Sequence, residues 1–343
     1  MGEAGKDKNF RDRMTDLCLE LEKKADYPNS NIRNEVTGYI IDAIHSRLDF
    51  VNKRLENGIT FEFAYSSKIA REFVLSHKKL PDHVWEPQTT KLLLLLSKGA
   101  SNVLIGGAYF GDHAILIANQ IAANKGICHT FEPNRLNSKM LRRNAEINHL
   151  SNIIINEIGL WNTDGANLEF VGGDALASSN EIEDKSSDSF ESTTIDSYLA
   201  KKGIEKLDLL MIDIEGGELH ALQGAKNQLA LPKAEAPNIV FEIHSLYTDW
   251  SNGLENTDII KYVSSFGYKV FAIRDIHSNY DLDKLPIELT SPDRTYIEGP
   301  PHGFNMLAVK DESVLQTDDF RLCYDVSPKY LFNKNSPLFS PLA

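Results

Sequence analysis

Cysteine is scarce in this chain. The 343 residues include three, Cys18, Cys128 and Cys323, far apart and odd in number. No C-x-x-C pair occurs, so neither a disulfide framework nor a thiolate metal site is implied. Positive charge is short as well. Lys and Arg number 36 against 49 Asp and Glu, giving a net charge of −13 and a pI near 5.3. That balance argues against nucleic-acid partners and against anionic membranes. Long apolar runs are missing too. The longest block, KLLLLLSKGASNVLIGGA, is broken by Lys98 and Gly99 and is too short to span a bilayer. The opening MGEAGKDKNFRDR is polar and unlike a secretory signal, and Lys6 stands where a myristoylation motif needs Ser or Thr. The expectation is a cytoplasmic protein without nucleic-acid or membrane partners.

What is present suffices for a large core: 42% of the residues are hydrophobic. The length suggests one large domain with additions, or two. Residues 8–75 place apolar side chains at three-and-four spacing and read as helices, broken at Tyr27-Pro28-Asn29-Ser30. Pro87 opens a helix running to about Leu96. Strands and helices then alternate. The strands are 102–105, 127–131, 153–157, 207–212, 239–243, 269–273 and 305–309; the helices are 113–123, 136–148, 218–229 and 257–266. This pattern predicts a doubly wound α/β fold with a mostly parallel sheet, the last two strands forming an antiparallel edge pair. The acidic, serine-rich segment 178–192 reads as a flexible surface loop, with a substrate lid as its functional alternative. Residues 321–343 read as an irregular tail whose aromatics pack on the body.

Three segments carry the chemistry. In the first, Gly106, Gly107 and Gly111 stand where the first strand turns into a helix, permitting a sharp turn and close approach of backbone to a ligand. In the second, Glu132 ends the next strand in FEPN, where a carboxylate can accept both hydroxyls of a ribose. Pro133 ends that strand and Asn134 can cap the helix after it. In the third, LDLLMIDIEGGE, an apolar strand stops at Asp213, with Glu215, Gly216, Gly217 and Glu218 directly behind. Ligands of open α/β sheets sit beyond the carboxyl ends of the strands. The loop also fits a loosened dinucleotide fingerprint. S-adenosylmethionine suits the acids better, because it brings a ribose, no pyrophosphate and a sulfonium cation.

GGAYFG, FEPN, RRNAEIN, STTIDSYL, LLMIDIEGGELHALQGA and NIVFEIHS, in this order over about residues 86–310, resemble the FkbM-type S-adenosylmethionine-dependent methyltransferases. The resemblance implies a class I methyltransferase-like, seven-stranded sheet. It implies a cofactor site of Glu86, Gly107, Ala108, Gly111, Glu132, Pro133, Asn134, Gly159 and Asp213. Asn144 and Asn148 match recurring helix asparagines, and Thr194 and Asp196 match a T-L-D element. Asp213, Glu242 and His244 become the catalytic candidates: His244 would take the acceptor's proton while Glu242 or Asp213 orients it. Alternatively the three would bind Mg²⁺ or Mn²⁺. His302 is a second candidate base. Three departures from the family pattern, Ile105, Tyr109 and Met211, would remove polar groups from the cofactor side.

The expected organisation is a helical N-terminal extension (1–80), a methyltransferase domain (81–320) and the tail (321–343). The N-terminal helices would serve as a cap or a homodimer surface. The expected activity is O-methylation of a hydroxyl on a sugar or specialised metabolite, the partner being a small-molecule or glycan acceptor. N-methylation of an amide or amine on a peptide is one alternative. A degenerate, non-catalytic binding module is the other.

Overall fold

The computed structural model describes residues 3–24, 32–45, 50–171, 178–182, 189–275, 282–297, 303–330 and 336–342. The first part has helices α1 (Lys8–Lys24), α2 (Gly38–His45) and α3 (Lys68–Val74), with a hairpin of β1 (Phe50–Arg54) and β2 (Thr60–Ala64) between α2 and α3. The hairpin corrects the all-helical expectation for this region. Asn57-Gly58 is a hairpin signal, and Gly58 takes the left-handed conformation (φ 92°) that the reversal needs. Along β2 the residues alternate, so Phe61 and Phe63 share one buried face. They pack against Phe73 and Phe110 and belong to the same core as Ile105 and Leu116. A cut at residue 80 would divide that core.

The body follows. Its strands are β3 (Asn102–Gly106), β4 (Ile127–Phe131), β5 (Ile153–Asn156), β6 (Gly159–Leu160), β7 (Asn167–Val171), β8 (Ser178–Ile182), β9 (Ser189–Thr193), β10 (Leu209–Ile212), β11 (Asn238–His244), β12 (Lys269–Ile273), β13 (Ile287–Thr290), β14 (Gly303–Val309) and β15 (Phe320–Cys323). Its helices are α4 (Pro87–Leu96), α5 (Ala114–Ile121), α6 (Arg135–Ile147), α7 (Ile195–Lys202), α8 (Glu218–Gln223), α9 (Lys226–Ala230), α10 (Asp258–Ser265) and α11 (Ser336–Phe339). The main sheet has nine strands in the order β15-β13-β12-β14-β11-β10-β3-β4-β5. β14 runs antiparallel to both neighbours, and β13 and β15 run with it; the remaining strands are parallel. The expected seven strands are the run from β5 to β12, a class I methyltransferase-like α/β sheet. β13 and β15 widen it. The antiparallel pair therefore lies inside the sheet, because β14 inserts between β11 and β12.

Side chains alternate across each strand, and both faces are covered. Val103, Ile105, Leu209, Met211 and Val240 point into the core under α4, α5 and α6. Leu104, Leu210, Ile212, Ile239 and Phe241 point into the core under α7 to α10. From β3 the chain winds outward through β4 and β5, then returns to β10 on the other side. The crevice between β3 and β10 is thus the switch point where such sheets bind ligands.

Three further expectations change. The segment expected as a loop contributes β8 and β9 to a small sheet, β6-β9-β7-β8, in its described residues; residues 183–188 lie outside them. The helix expected over 218–229 is two, α8 and α9, because a Cβ at Gly224 would overlap the Trp161 carbonyl and the backbone yields there. The tail begins within β15, and its Val326 and Tyr330 are buried. Among the described residues no helix is long and apolar enough to cross a membrane.

Candidate active site

The glycine loop leaves β3 and folds over the end of β4. Gly107 has φ 76°, and its N–H donates to the Phe131 carbonyl at 3.0 Å. The Asp213 backbone passes so close that a Cβ at this position would overlap its carbonyl oxygen. Tyr109 is also left-handed (φ 46°), which aims its N–H at Glu132 Oε2, 2.8 Å away. The Asn134 N–H donates to Glu132 Oε1 at 2.9 Å. The Asn137 side chain is a further donor to this carboxylate. Burial pushes the Glu132 carboxyl up to about 7 despite those bonds.

The other expected cofactor residues divide. Gly107, Pro133 and Gly159 line one small apolar pocket with Phe131, Leu160 and Ile214. Ala108 is buried, and Gly111 (φ 94°) gives room for Leu141 to pack. The Asn134 side chain caps α6, accepting from the N–H groups of Leu136 and Asn137. Asn144 and Asn148 hold the hairpin. The Asn144 amide bonds the N–H and C=O of Glu62 and the carbonyl of Phe110, and Asn148 does the same for Thr60. Thr194 caps α7, and Asp196 accepts from the Asn227 N–H. These four serve the frame.

The acids gather at the ends of β10 and β11. Asp213, Glu215 and Glu242 each bring a carboxylate oxygen within 4.8 Å of the others. Glu215 reaches this place through a left-handed backbone (φ 54°) beside Gly216 (φ 99°). Burial, then the charge of Glu215, drives the Asp213 carboxyl well above its ordinary value. Burial, then Asp213, does the same to Glu242. Burial with the charges of Glu218 and Glu86 raises Glu215 to about 8. Glu218 itself is structural: its oxygens accept the N–H groups of Ile214 and Gly216 and close the turn.

His244 lies two residues beyond Glu242 on the same face of β11. Its partner across the ladder is Gly303, where any Cβ would strike the imidazole and the Glu242 carboxylate. Its Nδ1 accepts the Leu246 N–H at 3.0 Å, so the neutral ring carries its proton on Nε2. That tautomer presents a donor on the ring's other side. The cluster that could hold a metal likewise takes Glu215 in place of His244. His302 lies outside the described residues.

Sequence reasoning missed Asp112 and Asn305. Asp112 follows the glycine loop directly, is buried, and has its carboxyl raised by that burial. Asn305 faces Glu242 across the β11–β14 ladder and donates to Glu86 Oε2 at 2.9 Å. Lys329, from the tail, stands 3.9 Å from the other Glu86 oxygen. The GDH triplet behind the glycines would have signalled Asp112; nothing local marks Asn305 or Lys329.

Residues 106–270, from the end of β3 into β12, match the methyltransferase FkbM domain. That stretch is similar to an FkbM methyltransferase domain. No curated protein matches the chain in sequence. Among solved structures it is similar to a methyltransferase FkbM from Methylobacillus flagellatus KT, at 18% identity and a TM-score of 0.35, over 61% of this chain and 44% of that one. The chain therefore spans less than half of that protein. An O-methyltransferase from Bacillus cereus, solved with S-adenosylhomocysteine, is 16% identical with a TM-score of 0.34, over 67% and 84%. TomG from Streptomyces achromogenes, an O-methyltransferase solved with S-adenosylmethionine, is 12% identical with a TM-score of 0.37, over 68% and 84%. Similarity at this level assigns no substrate.

Two of the three departures from the family pattern prove to be one. Ile105 and Met211 are direct neighbours in the β3–β10 register. Both are buried in the core under α4 to α6. Where the family pattern has Asp and Lys, this chain has an apolar pair packed in that core. Tyr109 is the departure that does reach the site, through the N–H it gives Glu132.

Proposed function

We propose that this chain transfers a methyl group from S-adenosylmethionine to a hydroxyl of a sugar or specialised metabolite. The observation that carries the reading is the Glu132 carboxylate. It is fixed at the tip of β4 by two N–H groups, beside the apolar pocket of Gly107, Pro133 and Gly159, with an acidic edge on the far side of the crevice. The residues fit the cofactor by chemistry: a carboxylate for ribose hydroxyls, an apolar slot for a purine, carboxylates for a cationic end. When bound, S-adenosylmethionine supplies an electrophilic methyl on a sulfonium.

The protein's part is positioning and proton removal. Glu242 and Glu215, both raised above ordinary carboxyls, are better matched than a surface acid to taking a hydroxyl proton. His244, with Nε2–H, would donate to the acceptor oxygen and orient it. N-methylation is the second reading, because the same carboxylates attract an ammonium. A non-catalytic module loses its motive, since the change at Ile105 belongs to the core.

Calorimetry with S-adenosylhomocysteine tests the cofactor half. Binding to the wild type that weakens in Glu132→Ala supports it, and no heat at millimolar ligand refutes it. Mass spectrometry of acid-hydrolysed products from sugar and peptide acceptors separates ethers from methylamines.

A further inference from the structure

We propose that Asp213, Glu215 and Glu242, with the amide oxygen of Asn305, hold one divalent cation, magnesium or manganese, beside the methyl-transfer centre. The inference rests on the methyltransferase reading and sharpens its substrate class. Oxygens around one such ion lie about 2.0–2.6 Å from it, hence up to about 5 Å from one another. The three carboxylates already meet that limit, at 4.8 Å. All the donors are hard oxygens, the set that suits Mg²⁺ or Mn²⁺ rather than zinc.

Asn305 is the independent observation. It is only 2% exposed. Its Nδ2 donates to Glu86 Oε2 at 2.9 Å and to Thr89 Oγ1 at 3.3 Å. Its Oδ1 is buried without any hydrogen-bond donor, on the sheet face it shares with Glu242. Glu86 and Glu242 both belong to the acid group, so the amide lies among the carboxylates. Glu215 Oε2 and Glu242 Oε2 are likewise buried without partners. Buried acceptors this close together leave a donor or a cation to be supplied from outside. Lys329 stands 3.9 Å from Glu86 Oε1.

An ion there, with positions open to a ligand, would bind an acceptor oxygen and make its proton easier to remove. In the transfer, the acceptor oxygen forms its bond to the methyl carbon while the carbon–sulfur bond breaks. Those electrons stay on sulfur as the thioether, and the proton passes to a carboxylate. An ammonium has no lone pair to offer the ion, so the site favours hydroxyl-bearing acceptors over protonated amines.

The test is a titration of the full chain with MnCl₂, following free Mn²⁺ by electron paramagnetic resonance without cofactor. The proposal expects one ion bound, with affinity lowered about tenfold or more in Glu242→Gln and in Glu215→Gln, and less in Asn305→Ser. Glu215 sits on a turn and not in a strand, so its variant remains informative if a strand variant fails to fold. No uptake at 1 mM, a concentration on the order of the weakest Ca²⁺ modules, overturns the proposal, as does equal uptake by wild type and Glu215→Gln. S-adenosylhomocysteine calorimetry on the same samples separates the two claims. Cofactor binding without manganese binding overturns the metal site alone, and manganese binding without cofactor binding overturns the methyltransferase reading alone.

Discussion

Replacing Glu132 by Gln should stabilise the ligand-free protein at pH 8 while weakening its hold on cofactor. Burial raises this carboxyl from 4.5 to about 7 in the folded chain. Below the lower value both states hold the proton and folding is unaffected. As pH rises toward 7 the unfolded chain releases it first, and the folded state loses stability; above 7 the loss is complete. At about 1.4 kcal/mol per unit, that loss is about 3 kcal/mol. Gln cannot ionise, so the variant escapes it. Its amide has one oxygen where the carboxylate has two, so either Tyr109 or Asn134 loses an acceptor for its N–H, costing about 1–2 kcal/mol. The net gain is about 1–2 kcal/mol at pH 8, roughly a 2 °C rise in melting temperature. At pH 5 the gain should vanish or change sign. Thermal denaturation of wild type and variant from pH 5 to 8 gives the stability half. Calorimetry gives the binding half, where losing a charged acceptor for ribose hydroxyls predicts roughly a 10–100-fold weaker S-adenosylhomocysteine. A stability difference that does not change with pH would refute the burial argument, and unchanged affinity would refute the ribose assignment.

Glu242→Gln should lower turnover by about 10²–10⁴-fold with little change in KM for the cofactor. His244→Ala should cost less, and His244→Gln should recover most of that loss because its amide also donates; no recovery would restore His244 to the base role. Asn144→Ala should destabilise by about 2–4 kcal/mol in urea unfolding, since Glu62 and the Phe110 carbonyl lose their partners. A loss under about 1 kcal/mol would mean that the hairpin does not need this clasp. Ile105→Asp alone should destabilise by about 3–5 kcal/mol as a buried unpaired charge, and adding Met211→Lys should return much of it; additive effects would show that the two positions do not pair.

The sheet was legible because its strands are short apolar runs set between segments of helical spacing. The hairpin was not. Val51, Leu55 and Ile59 fall at helical spacing, and that period outweighed the Asn57-Gly58 turn that decides the matter. At the site, Glu132, Asp213 and Glu242 were legible as carboxylates at strand ends, since position alone determines what such a residue can reach. The helix cap at Asn134 was legible too, but what Gly111 and His244 meet was not, namely the Leu141 side chain beneath the glycine and the Leu246 N–H. Asn305 and Lys329 come from the far end of the chain, and only the folded ladder and tail bring them to Glu86.

The core pair and the acid edge point in opposite energetic directions, and that contrast bears on function. At Ile105 and Met211 a polar pair of the family pattern is absent, and apolar side chains of matching reach fill the space, an exchange that is commonly neutral or stabilising. At the crevice no such relief is taken. Asp112 stays as a buried acid and Asp213, Glu215 and Glu242 as half-buried ones, all with raised carboxyls, so the ligand-free fold grows less stable as pH climbs through neutrality. Apolar residues would fill those places at lower energy if the crevice only had to fold. A ligand that binds the folded chain alone offsets the deficit by mass action, in proportion to the logarithm of its concentration over its dissociation constant. Cations do this best among carboxylates. The sulfonium and ammonium of the proposed methyl donor and the proposed divalent ion are both of that kind, which makes the raised acids at the tips of β10 and β11 a reason to expect occupancy.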